Sequence, residues 1–365
     1  MHLKAVRWLV ILMIASGCAT VHTALDVQAI EAKAALASSW AGKIDRKPWP
    51  FRSGAALDAL TRPMAVPVIT RLPIGPHHLA EDIIEEQLVF RSRQSLRYLE
   101  SNYARLYVYR HGELGARPVQ LWVPGLYVSE LALKLLRPLL LDTLAQGVDV
   151  VFFVPPYHLE RTPTGLGSGD AVLATTLSDH LGVIAQGVAD LRDTVLLLRS
   201  RGVKTLGVFA GSMGANFALQ VARFDGSPER PAFDFFTAMI PLIDWSALLL
   251  ERPEFAGVRS QLAAAGSSLD ALGALYAELD PSRGSPALPA SAVSIIAARF
   301  DQVTPAAPRA RFEAAWGITR VHLVERGHAT MLLSDLPAIA HDLLEADLRN
   351  VKGRDSGVER GPSTH

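Results

Sequence analysis

The chain has 365 residues, with 36 Lys and Arg balanced by 36 Asp and Glu, 49% hydrophobic residues and a single Cys. At roughly 100–200 residues per domain, that length fits one large α/β domain or two small ones, with a core that needs no disulfide or metal staple. One Cys excludes a disulfide framework and any multi-thiolate metal site, and zero net charge argues against a nucleic-acid coat, which requires a basic surplus.

The first element is a leader. Lys4 and Arg7 form a short positive region, and Trp8 to Ile14 is a continuous apolar run followed by Ala15-Ser16-Gly17-Cys18. A bilayer-spanning helix takes about 20 apolar residues, so this run has the dimensions of a secretory h-region instead. The small residues before Cys18 resemble the lipobox of bacterial lipoprotein signals, with Ala15 where that family usually has Leu. The resemblance implies a signal over 1–18, a diacylglyceryl group on the Cys18 thiol and a place in the bacterial cell envelope, anchored on the periplasmic side. Ala19 after the Cys suggests transport onward to the outer membrane. An ordinary cleaved signal, giving a secreted or periplasmic soluble protein, and an uncleaved anchor are the alternatives.

Residues 24–40 are rich in helix formers with apolar residues near i, i+3, i+4 spacing, and Pro48 to Pro76 is a Pro-broken stretch. Residues 19–84 therefore read as an N-terminal helix and tether. From there short apolar runs alternate with helical segments. The runs are Gln87–Phe90, Leu106–Tyr109, Val119–Val123, Val148–Val154, Thr205–Ala210, Thr237–Ile243, Val293–Ala297 and Arg320–Val324. Several are apolar throughout, as strands of a parallel sheet covered on both faces are. Val128–Leu144, Ala171–Arg201, Ala215–Phe224, Pro308–Trp316 and Leu336–Asn350 are the helices between and after them. Short connections early in the series predict a sheet that starts antiparallel and continues through βαβ units. Residues 351–365 carry no apolar period and read as a disordered tail.

One segment carries chemistry. Thr205 to Asn216 (T-L-G-V-F-A-G-S-M-G-A-N) runs from a buried strand through Ala210-Gly211-Ser212-Met213-Gly214 into a helix. A nucleophile on so tight a strand-to-helix turn needs small neighbours two places either side, and the helix N-terminus places donors where an oxyanion forms. A Gly-rich turn without chemistry is the bland reading of those five residues alone. Context favours the nucleophile: Phe300-Asp301-Gln302-Val303-Thr304-Pro305 follows one later strand, and Gly327-His328 follows the next, about 27 residues on. Order, spacing and strand context resemble the α/β-hydrolase superfamily over residues 85–350, with Ala210 standing in for the usual first Gly, as in some lipases.

That resemblance implies a mostly parallel eight-stranded sheet with helices on both faces and a small helical cap insertion. It also implies a serine hydrolase with Ser212 as nucleophile, His328 as base and Asp301 as the acid that orients it, Asp244 being the alternative acid one strand earlier. The oxyanion donors would be the N–H groups of Met213 and Leu126, the latter in Pro124-Gly125-Leu126-Tyr127. The P-G turn, Pro155-Pro156-Tyr157 and the G-S-M-G-A elbow also resemble a poorly characterised α/β-hydrolase-domain branch. Tyr157 and His158 read as loop residues, and His180, His322 and His341 as structural or solvated.

The loop Pro155–Asp170, rich in Gly, Pro and Thr, reads as a mobile shaper of the pocket. The insertion 245–290 carries Leu248, Leu249, Leu250, Phe255, Leu262, Leu269, Leu272, Leu275 and Tyr276, a candidate apolar roof that would suit acyl esters or lipids. No metal-ligand spacing such as H-E-x-x-H occurs, Gly211-x-x-Gly214 lacks the dinucleotide pattern, and no cofactor is expected. The leading expectation is cleavage of a small-molecule or lipid carboxylic ester through an acyl-enzyme. Amidase, thioesterase or acyltransferase chemistry on the same triad, or a non-catalytic binding lipoprotein of this fold, are the alternatives.

Overall fold

A computed structural model describes residues 19–41, 65–73, 79, 82–173, 177–264, 266 and 268–355. The leader with Cys18, most of the tether and the last ten residues of the tail lie outside them. A mixed sheet of nine strands forms the centre: β1 (Ile69–Pro73), β2 (Ile84–Arg91), β3 (Tyr103–Arg110), β4 (Val119–Val123), β5 (Asp149–Val154), β6 (Leu206–Gly211), β7 (Phe235–Met239), β8 (Val293–Ala298) and β9 (Arg320–Val324). Their spatial order is β1-β2-β3-β5-β4-β6-β7-β8-β9. Pairings are antiparallel from β1 to β5 and parallel from there to β9, as the connection lengths predicted.

Each of the eight apolar runs from Gln87 onward falls wholly or partly in a strand, but among the described residues the sheet has nine strands rather than eight. The addition is β1, inside the predicted tether, where Pro-rich sequence argued against order. It pairs antiparallel with β2 and is largely exposed. Its position explains the discrepancy: an edge strand tolerates a Pro that a central one cannot, because one row of its backbone groups faces away from the ladder.

Strands β4 to β8 are buried along their whole length, on both faces. Alternation divides the core in two. Leu121, Phe153 and Val208 face one side, under α3 (Leu177–Ser200) and α4 (Ser212–Phe224). Trp122, Phe152 and Phe209 face the other, against Leu139, Leu140 and Leu144 of α2 (Glu130–Ala145) and Leu336, Ala340 and Leu343 of α8 (Leu336–Asp355). Helix α8 runs five residues beyond Asn350, so residues 351–355 are helical where a tail was expected. Among the described residues no helix is long and apolar enough to cross a membrane.

The insertion between β7 and β8 is helical, as expected, with a π turn (Ala247–Glu251), α5 (Ala256–Ala264) and α6 (Leu269–Glu278), and α7 (Ala306–Trp316) follows β8. The N-terminal helix α1 (Ala19–Ala41) lies against α5, the Pro253–Phe255 turn and the Asp170–Leu173 turn. Its buried residues are His22, Asp26, Ile30, Ala34 and Ala37, spaced by four and then three, which defines one face of the helix.

Candidate active site

The elbow is the first piece of the site. β6 ends at Gly211, and Ser212 begins α4 with φ +48°, a left-handed conformation that costs a non-glycine residue about 1–3 kcal/mol and holds its side chain clear of the turn. Two glycines make room for it. A Cβ on Gly125 would stand 2.8 Å from the Ser212 Cβ, and one on Gly214 would stand 2.3 Å from the carbonyl oxygens of Val123 and Pro124. Both glycines let the turn after β4 press against the elbow, so that Leu126 and Met213 line the same cavity as Ser212.

Three side chains from three loops then meet. Ser212 Oγ lies 3.0 Å from His328 Nε2, and His328 Nδ1 lies 2.9 Å from Asp301 Oδ2. A carboxylate only accepts, so Nδ1 carries the proton and Nε2 is the acceptor for the serine hydroxyl. Asp301 is itself fixed. Its Oδ1 accepts from the N–H groups of Val303 (2.8 Å) and Thr304 (2.7 Å), and its Oδ2 accepts from Thr304 Oγ1 (2.6 Å). Burial alone would raise the Asp301 pKa; the charge of His328 and the donated hydrogen bonds outweigh it and hold the carboxyl below its ordinary value. For His328 burial pulls the other way, downward, and is outweighed by the charge and hydrogen bond of Asp301 and then by the charge of Asp26, so its pKa is raised.

Asp244 takes no part in this chain of hydrogen bonds. Its Oδ1 accepts from the N–H groups of Ser246 and Ala247, and its Oδ2 pairs with Arg311 at 3.0 Å. It caps the start of the cap insertion. His180 is buried, with Nδ1 on the Val172 carbonyl, and His341 pairs with Asp142, both structural as expected.

The loop after β5 differs from expectation. Its first half is packed into the fold, with Tyr157, His158 and Arg161 all buried, while Thr164, Gly165 and Gly167 are exposed. Arg161 donates to the carbonyls of Val154 (2.9 Å) and Ser101 (2.6 Å), to Gln186 (2.9 Å) and to Asp190 (2.7 Å). Composition predicted mobility because Gly and Pro mark turns; a buried ion pair holds these turns in place. His158 has a definite task there: Nε2 accepts from the Tyr127 N–H at 3.0 Å while Nδ1 donates to the Pro156 carbonyl at 2.8 Å. Accepting at Nε2 requires the neutral ring, and burial pushes its pKa down to about 4. A neutral histidine thereby pins Tyr127, which has φ +66° and follows Leu126 directly.

The site opens on a cavity of about 430 Å³. Trp122, Phe152, Phe209 and Met239 wall it from the sheet, and Trp245 and Phe255 from the cap. Of the expected roof residues, Leu248 and Phe255 reach the cavity, whereas Leu249 and Tyr276 pack the insertion onto the core and Leu272 is buried away from the cavity. Three further wall residues, Ala29, Ile30 and Lys33, come from α1, in the segment 19–84 that precedes the predicted α/β domain. Among the described residues no cluster of His, Cys, Asp and Glu could hold a metal ion.

The sheet order, the elbow and the loops that converge on it define an α/β-hydrolase fold. The structure is similar to an acetyl xylan esterase from Paenibacillus sp. R4 (TM-score 0.54, 12% identity, 82% of this chain and 92% of that one). It is equally similar to acetyl xylan esterase 1 from Thermoanaerobacterium sp. JW/SL YS485 (TM-score 0.54, 14% identity, 80% and 92%). A prolyl endopeptidase matches over 74% of this chain and 39% of its own, at TM-score 0.50 and 17% identity. No protein-family model and no curated protein matches the sequence.

Proposed function

We propose that the protein is a serine hydrolase that cleaves a carboxylic ester carrying an apolar acyl group. One observation carries the reading: the hydrogen-bonded chain Ser212–His328–Asp301 opens on an apolar cavity large enough for a small ester. The similarity to esterase structures supports the reaction class. In the acylation step Ser212 Oγ attacks the ester carbonyl and its proton passes to His328 Nε2. Asp301 stabilises the imidazolium, and the N–H groups of Met213 and Leu126 receive the negative charge on the carbonyl oxygen. The tetrahedral intermediate collapses, the alkoxide leaves with the proton from His328, and an acyl-serine remains. Water then attacks the acyl group by the same route, with His328 as base, and frees the acid and Ser212.

The cavity walls set the expected substrate. With p-nitrophenyl esters, kcat/KM should rise from acetate to butyrate and hexanoate, because each methylene buried against Trp122, Phe152 and Phe209 is worth about 0.8 kcal/mol. Turnover confined to acetate contradicts an acyl pocket, and amide turnover faster than ester turnover favours the amidase alternative.

The lipid anchor belongs to the same proposal. The apolar leader and the lipobox-like Ala15-Ser16-Gly17-Cys18 support acylation of Cys18 and attachment to the cell envelope. Mass spectrometry of protein from its native host should find a diacylglyceryl-modified N-terminal Cys18; an unmodified peptide spanning residues 10–25 contradicts it.

A further inference from the structure

The N-terminal helix reaches the acid loop, the histidine loop and the loop of the proposed oxyanion donor. Asp26 is fully buried, and three backbone N–H groups converge on its carboxylate: Gln302 (3.0 Å) and His328 (2.8 Å) on Oδ2, and Ala329 (2.8 Å) on Oδ1. One of these donors sits next to Asp301, and another is the backbone of His328 itself. Gly327 is shaped around the contact, since a Cβ there would stand 2.9 Å from both Asp26 oxygens and from the His22 carbonyl. One turn earlier, His22 Nδ1 meets Thr330 Oγ1 at 2.7 Å and its ring stacks on Phe300 at 5.9 Å. Two turns later, Lys33 lies 3.5 Å over the ring of Tyr127, on the loop of the proposed oxyanion donor, and pairs with Asp170.

We propose that α1 is a working part of the catalytic centre, with Asp26 as a positioning residue that ties the acid loop and the histidine loop into one register. The proposal rests on the serine-hydrolase reading above, and the physical reason is geometric. His328 and Asp301 stand on separate loops, after β9 and β8, and their 2.9 Å contact survives only if those loops keep a fixed separation. A carboxylate that accepts from the backbone of both does that, and charge-assisted bonds of this kind are roughly twice as strong as neutral ones. An amide cannot replace it. Both Asp26 oxygens are occupied as acceptors, so an Asn in either orientation sets its NH2 against a backbone donor.

A bystander that merely packs would affect stability alone; the Asp26 charge also acts on the titrating ring. His328 meets Asp301 and Thr304 of the acid loop and Ser212 of the elbow through its ring and Asp26 of α1 through its backbone, and of the two carboxylates Asp26 adds to Asp301 in favouring imidazolium.

The test uses the full chain and Asp26→Asn and Asp26→Glu, with Ser212→Ala as control. Two quantities are followed against pH: the rate of labelling by a fluorophosphonate probe, and the titration of the His328 imidazole by NMR. Asp26→Asn should slow labelling about 10- to 100-fold, the usual cost of displacing reacting groups by about 1 Å. It should also move the His328 midpoint to lower pH. Asp26→Glu keeps the charge but not the geometry, so it should slow labelling and leave the midpoint near that of the wild type. Should Asp26→Asn not fold, the Glu variant alone decides, since wild-type labelling by it overturns the proposal. Slowed labelling by Asp26→Asn with an unmoved midpoint also overturns it, because that outcome describes simple packing. A wild type that fails to label refutes the serine-hydrolase reading instead, and the NMR titration still decides the case of Asp26.

Discussion

At the scale of single residues, His328, the proposed base, is held by two carboxylates, one on its ring and one on its backbone. The raised pKa has a kinetic consequence. Acylation needs neutral His328, so activity should fall as pH drops through a midpoint above the ordinary 6.5. Asp301→Asn removes the ring partner and permits the wrong tautomer; kcat should fall about 10⁴-fold and the acid limb should move to lower pH, measured with a p-nitrophenyl ester. An unchanged limb contradicts the assignment of Asp301. Linkage gives the matching stability window. The raised His328 contributes stability fully present below 6.5 and lost as pH rises through its folded value. The depressed Asp301 contributes stability present above its unfolded value and lost as pH falls through its folded one. The pair therefore stabilises most between the two.

At the scale of elements, the site is a meeting of turns held from behind. Gly125 and Gly214 let the turn after β4 rest on the elbow, and neutral His158 ties that turn to the loop after β5. The loop is anchored in turn by buried Arg161 and Asp190. Sequence made the elbow, the acid and the histidine readable because each is a local pattern, with small residues and a reactive one at fixed spacing behind an apolar strand. Asp26 was unreadable for the opposite reason. Its partners lie 276 to 303 residues away, and no local rule says which surface a helix will cover. One signal was present: His22, Asp26, Ile30 and Ala34 follow at intervals of four, so a charged residue sat within a buried stripe. A buried carboxylate demands donors, and backbone N–H groups on two loops supply them. Arg161 illustrates the same limit, since its turn-forming neighbours spelled flexibility while its own ion pair, 29 residues distant, imposes order.

At the scale of the whole molecule, α1 and α8, near the two ends of the described chain, pack around the central sheet and its loops. The cap insertion closes one part of the cavity and α1 another, and the two touch each other. The helix that follows the lipobox-like leader thus contributes a wall of the pocket and a carboxylate that accepts from the loops of the proposed triad. The proposed function stands on Ser212, activated by His328, as the nucleophile. Mass spectrometry of the intact protein after exposure to a fluorophosphonate, beside Ser212→Ala and His328→Ala, reads out that role. We expect one phosphonyl group on wild type, located on the peptide that holds Ser212, none on Ser212→Ala and strongly slowed addition to His328→Ala. Labelling that persists in Ser212→Ala, or a wild type that stays unmodified, would contradict the claim.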